Sequence, residues 1–212
     1  MMPYIIAIIN QKGGAGKTTL AMNLAAGLTL RAKTIVIDLD PQGSSLQWAD
    51  MGKKAFSTPV EAIVSDDWSA DGLQDKYKLY QYIVLDCPPS LDSHTSEQAL
   101  LACDVALIPV LPSPIDLWAS ITLSQEIEKT KKDNPDIQAY LVINQLEPSS
   151  ALSNAMNEAL KEFNIPVLNT MIRRRAAYRS AALEGISVYQ MKGHGKRAVE
   201  EIEAIINEAI PL

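Results

Sequence analysis

The chain has 212 residues, 47% of them hydrophobic, and a formal net charge of −6. That length suits one α/β domain, read here as residues 1–212, and no apolar run nears the about 18 residues needed to cross a bilayer. No basic and then apolar leader opens the chain, and Cys87 and Cys103 lack metal-ligand spacing, so the composition points to a cytoplasmic protein with reduced thiols.

Tyr4-Ile-Ile-Ala-Ile-Ile9 is a short β-branched apolar run of the kind that forms a buried parallel strand. Asn10-Gln-Lys-Gly-Gly-Ala-Gly-Lys-Thr-Thr19 follows, and Leu20, Leu24 and Leu28 then repeat with helical spacing. Strand, glycine-rich turn and helix form the setting of a phosphate loop. Gly13, Gly14 and Gly16 allow a tight turn that aims successive N–H groups into one anion-binding hollow. The positive end of the helix dipole adds to that field. Lys17 can reach the β- and γ-phosphates of a nucleotide, and the Thr18 hydroxyl can ligate Mg²⁺.

The usual loop begins with a glycine, where this chain has Gln11, and a second lysine, Lys12, heads the turn. Lys12-Gly-Gly-Ala-Gly-Lys-Thr18 resembles the deviant Walker A motif of the ParA/MinD superfamily of ATPases. The resemblance implies a P-loop fold, ATP and Mg²⁺ as ligands, and a nucleotide cradle made of Gly13, Gly14, Ala15, Gly16, Lys17, Thr18 and Thr19. It also implies that Lys12 reaches across an ATP-dependent homodimer to the partner's nucleotide. Read without the resemblance, Lys12 is a solvated loop residue.

Thr34–Asp38 is a second strand, ending in Asp38-Leu-Asp40-Pro-Gln-Gly43. Acids at the carboxyl end of a parallel strand lie where α/β sheets bind ligands. By resemblance to the family's second nucleotide motif, Asp40 orients or deprotonates the attacking water and Asp38 supports the Mg²⁺ shell. On the residues alone, both could simply cap the next helix. Residues 46–80 say less: Leu46–Trp48 and Pro59–Ile63 read as short helices, and Asp66–Gly72 as a polar connection. Trp48 and Trp68 read as packing residues. Tyr82-Ile-Val-Leu-Asp86 is a third strand with the Walker B pattern, its carboxylate placed to anchor Mg²⁺.

Ser93–Cys103 reads as a helix and Val105–Leu111 as a fourth strand. Pro112–Ser120 resembles the small plasmid-type, ParF-like branch of the family, with a helix running to about Lys132. Ile137–Asn144 is a fifth strand, and by family position Asn144 contacts the base. A helix over 151–164 buries Leu152, Met156, Ala159, Leu160 and Phe163 at spacings of three and four. Pro166–Ile172 reads as a sixth strand, followed by helices ending near Gly185 and spanning about 195–210. The last of these buries Val199, Ile202, Ile205, Ile206 and Ala209, with Glu200, Glu201, Glu203 and Glu208 on its polar face. The alternation predicts a doubly wound, mostly parallel sheet with helices on both faces.

Between Met171 and Arg197 stand Arg173, Arg174, Arg175, Arg179, Lys192, Lys196 and Arg197 against one acid, Glu184. Such segregation suits a polyanion-binding patch on an acidic body. In the family it implies sequence-independent DNA binding by the ATP dimer, through Arg173, Arg174, Arg175, Arg179, Lys196 and Arg197. The other reading is that these cations are solvated or paired with acids. The expected activity is ATP hydrolysis that switches a monomer and a DNA-binding, nucleoid-associated dimer. The expected cargo is plasmid DNA, held through a centromere-binding adaptor that stimulates hydrolysis. The alternative is a positioning ATPase for a protein organelle, or a membrane-associated division-site regulator like MinD. An acidic last helix argues against a membrane.

Overall fold

The computed structural model describes residues 2–53, 55–63, 68–90, 94–118, 121–147, 152, 154–161 and 164–211. Among these, six strands form one sheet: β1 Tyr4–Ile8, β2 Thr34–Asp38, β3 Val60–Ala62, β4 Tyr82–Asp86, β5 Val105–Val110 and β6 Gln138–Ile143. Their order is β3-β2-β4-β1-β5-β6 and every pairing is parallel. The helices are α1 Lys17–Thr29, α2 Ser44–Met51, α3 Ala70–Lys76, α4 His94–Ala102 and α5 Pro114–Trp118. They continue with α6 Ile121–Thr130, α7 Asn154–Lys161, α8 Ala176–Glu184 and α9 Lys196–Ala209.

Strand alternation divides the core into two layers. Ile5, Ala7 and Ile9 pack with Leu73, Leu100, Ile127 and Met156, so α3, α4, α6 and α7 cover one face. Ile6 and Ile8 pack with Leu20, Leu24, Leu28, Ile202 and Ile206, so α1 and α9 cover the other. Each fully buried aliphatic side chain contributes about 1.5–3 kcal/mol. The order of strands reverses beside β1, which places a ligand crevice at the carboxyl ends of β1, β2 and β4. There Ile8, Asp86 and Asp38 are register partners on adjacent strands.

Three elements differ from expectation. Pro59–Ile63 reads as helix, yet Val60–Ala62 pairs with Val36–Asp38 as the edge strand. Pro166–Ile172 reads as a strand, yet only isolated bridges, Leu141 with Val167 and Leu146 with Arg173, join it to its neighbour. The physical reason lies in α9: Glu208 accepts from the Asn169 and Thr170 amides at 2.5 and 3.1 Å, drawing the middle of the segment off the ladder. Residues 70–72 of the expected polar connection open α3, whose first turn is capped by Ser69 accepting from Gly72 N. Asp66, Asp67, Ser93, Ala119, Ser120, Ala151 and Phe163, which also carried expectations, lie outside the described residues.

On α9 the expected polar face is largely a binding face for the rest of the chain. Glu201 is buried, and Glu203 accepts from Tyr189 Oη at 2.6 Å and pairs with Arg31. Trp48 is buried and donates from Nε1 to Ile186 O at 3.0 Å, a packing role as expected.

Candidate functional site

The glycine-rich turn is anchored at its start by Asn10. That buried side chain donates to Pro109 O at the end of β5 (2.8 Å) and accepts from Lys12 N (3.1 Å). Gly14 and Gly16 take left-handed φ values of 77° and 94°. A Cβ on Gly16 would lie 2.3 Å from Asn144 Nδ2, so only glycine fits the approach. Two loop carbonyls are then occupied from the β6 end: Asn144 Nδ2 donates to Ala15 O at 2.7 Å and Gln145 Nε2 to Gly14 O at 3.0 Å. No side chain caps α1, so its first amides remain as donors for an anion.

Lys17 is buried beneath this turn, with Nζ donating to Lys12 O at 3.2 Å. Burial pulls its ammonium below the usual range, and the charges of Asp86, Cys87 and Asp40 oppose that. Asp38 accepts from the amides of Ser45 (2.8 Å) and Leu46 (3.1 Å) on Oδ2 and from Asp40 N (3.1 Å) on Oδ1. It therefore does cap the first turn of α2, while burial raises its pKa. Asp40 is partly buried and accepts from Gln42 N at 2.9 Å, closing a local turn.

Asp86 is the most perturbed acid of the site. Burial pushes its carboxyl up to about 7, opposed by the nearby Thr18 and Ser45 hydroxyls, with Asp38 adding repulsion. Ser45 Oγ donates to Oδ2 at 2.8 Å, and Oδ1 has no hydrogen-bond partner among the described residues. A buried orphan oxygen is costly, and it fits the shell of a cation. Among the described residues no group of three or more His, Cys, Asp or Glu side chains could hold a metal ion. Magnesium does not need one, since it is commonly held by one or two carboxylates plus phosphate and water. Thr18 and Asp86 fit such a site, with Asp38 behind them because both its oxygens already serve backbone amides.

The expected residues otherwise fall into two groups. Gly13, Gly14, Ala15, Gly16, Lys17, Thr18, Thr19, Asp38, Asp40 and Asp86 converge at the carboxyl ends of the strands. Lys12, expected to reach a partner's nucleotide, here forms an ion pair through its ammonium with Asp116 on α5 of its own chain. Asn144, expected at a base, braces the phosphate loop from the end of β6, with Oδ1 accepting from Gln145 N at 2.8 Å.

The basic segment is only partly free. Arg175 pairs with Glu201 through Nε at 2.9 Å and Nη2 at 2.6 Å, and Tyr178 Oη donates to the same carboxylate at 3.0 Å. Glu201 holds the Arg175 guanidinium above its usual pKa. Arg174 pairs with Glu147 at 2.9 Å, and Arg173 Nη1 donates to Glu147 O at 3.0 Å. Arg179, Lys192, Lys196 and Arg197 are exposed. Arg173, Arg174 and Tyr178 also line a cavity of about 230 Å³ that reaches Gly16, Thr19 and Asn144. Sequence reasoning missed Asn10, Ser45, Gln145 and Asp116 as members of the site. Asn10 and Ser45 flank the phosphate loop and the second acidic motif, but only the folded contacts reveal their partners.

Comparison with known proteins identifies the family and the fold. The chain is 44% identical, over 98% of its length and 97% of the relative's, to "Maintenance of carboxysome distribution protein A" of Halothiobacillus neapolitanus. It is 33% identical, over 93% and 89%, to the protein of the same name from Gloeobacter kilaueensis. The ATP complex of a Cyanothece McdA variant shares the fold at a TM-score of 0.74, with 17% identity and coverage of 98% and 96%. Residues 6–188 match the CobQ/CobB/MinD/ParA nucleotide binding domain, and the chain belongs to that ParA/MinD family.

Proposed function

We propose that this chain is a Mg²⁺-dependent, ParA-type ATPase that positions a protein organelle of the carboxysome kind. ATP hydrolysis to ADP and phosphate switches it between a monomer and a dimer that holds to nucleoid DNA without sequence preference. An adaptor on the cargo stimulates the reaction. The observation that carries the cargo is the near full-length likeness to proteins named for carboxysome distribution. It supports an organelle over the plasmid DNA expected from the sequence. A membrane-bound role has less support, since α9 carries Glu200, Glu203 and Glu208.

In this reading the loop amides and the first turn of α1 bind the phosphates, and Lys17 balances their charge. Thr18 and Asp86 would hold the cation, steadied by Asp38. When bound, Mg²⁺ would supply charge neutralisation at the phosphates. Asp40 orients the attacking water or takes its proton, and the cavity beside Gly16 and Thr19 receives the rest of the nucleotide. Lys12 exchanges Asp116 for the partner's phosphates on dimerisation.

Asp40→Ala should slow hydrolysis by about 10²–10⁴ while ATP still binds. Hydrolysis at the parent rate would leave Asp40 only a turn residue. Deleting the chain from its host should cluster the organelles and leave plasmid inheritance unchanged. Plasmid loss with evenly spaced organelles would overturn the cargo.

A further inference from the structure

Ser45 joins the two strand-end acids. It is the second residue of α2 and is fully buried. Its amide donates to Asp38 Oδ2 and its hydroxyl to Asp86 Oδ2, both at 2.8 Å. One residue, through its amide and its hydroxyl, therefore links the end of β2, the end of β4 and the start of α2. Asp40 N donates to the other oxygen of Asp38, so the segment from Leu39 to Ser45 is pinned at both ends to one carboxylate.

The orientation of Asp86 depends on this contact. The terminal torsion of an aspartate is broad, so an unrestrained carboxylate can turn either oxygen to a ligand. With Oδ2 fixed by Ser45, Oδ1 is left as the oxygen without a hydrogen-bond partner among the described residues. We propose that Ser45 is a positioning residue for the cation: it sets the rotation of Asp86 so that Oδ1 serves the Mg²⁺ shell, and it ties the Asp40 segment to that setting. The role rests on the reading of this crevice as a Mg²⁺–nucleotide site. Residues that orient metal-binding groups from behind are commonly worth about 10–100-fold in metal affinity or activity.

The test compares ADP affinity by calorimetry in Mg²⁺ and in EDTA, with circular dichroism melts to confirm folding. The ratio of the two affinities measures how well the cation is held, without any turnover. Ser45→Ala should cut that ratio by about 10–100-fold and leave the EDTA affinity unchanged. Ser45→Thr, which keeps the hydroxyl, should recover most of the ratio. Ser45→Cys, close in volume with a weak donor, supplies the same comparison if the alanine variant does not fold. A folded alanine or cysteine variant with the parent ratio would reduce Ser45 to a packing residue and overturn the role. A parent chain whose ADP affinity ignores Mg²⁺ would overturn the site reading itself, a separate result.

Discussion

At the scale of single residues, the buried Asp86 sets a pH dependence. A carboxyl raised from 3.8 to about 7 on folding favours the protonated form in the folded chain. Its contribution to stability is therefore complete below pH 3.8 and lost as pH rises through about 7. About 2 kcal/mol of that loss falls between pH 5.5 and 8. Asp38, also raised by burial, acts in the same direction. Glu203 and Glu208 are lowered and act oppositely, but only as pH falls below 4.5, outside this window. The ligand-free protein should melt on the order of 5 °C higher at pH 5.5 than at pH 8. Asp86→Asn should remove most of the difference. A parent melting point that is flat over this range would mean that the carboxylate is solvated or already partnered. Asp86 was legible from the sequence because four apolar residues and an acid end a strand after a phosphate loop. Ser45 was not, because its hydrogen bond runs from the start of α2 to the end of β4, which only the fold brings together.

At the scale of elements, α5 restrains the phosphate loop. Lys12 heads the loop and is paired with Asp116, whose side chain is 13% exposed against 39% for the lysine. A half-exposed bridge is worth about 0.5–1 kcal/mol after screening, and dimerisation through Lys12 would break two of them. Asp116→Asn should therefore tighten the ATP dimer by on the order of tenfold. Lys12→Gln should bind ATP as a monomer and fail to dimerise. Light scattering with ATP and Mg²⁺ reads both, and an unchanged dimer constant in the asparagine variant leaves the bridge a surface contact. The loop, β1, β2, β4 and α1 could be read locally because each carries its own signal: a glycine-rich motif, a continuous apolar run, or leucines at helical spacing. Val60–Ala62 could not: three residues become a strand only through the backbone of β2. Pro166–Ile172 failed in the other direction, since a distant glutamate on α9 claims the Thr170 amide, which lies on the ladder side between Leu168 and Ile172.

At the scale of the whole molecule, charge is unevenly spread, and the fold divides the basic segment by task. Arg175 faces inward to Glu201, with side-chain exposures of 21% and 11%, so its first role is structural. Arg179, Lys196 and Arg197 are exposed, and they lie on α8 and α9 against the face of the sheet that also carries α1. If the ATP dimer grips DNA with this region, bound phosphates release counterions, and the slope of log affinity against log salt counts the cations involved. Replacing Arg179, Lys196 and Arg197 with alanine should weaken binding to all sequences alike and flatten that slope by about 0.9 for each phosphate no longer neutralised. Melting should stay at the parent value, and ATP affinity is read on the Lys196→Ala, Arg197→Ala pair, where it should also stay, because Arg179 lines the cavity beside Gly16 and Thr19. Arg175→Ala should behave differently: it leaves Glu201 largely buried without its cation, a destabilisation of about 1–3 kcal/mol that shows in the melt. Filter binding across a salt series, with melts alongside, separates the two classes. Equal salt slopes for the parent and the triple variant would move the DNA interface elsewhere on the chain and leave these three residues as solvated surface.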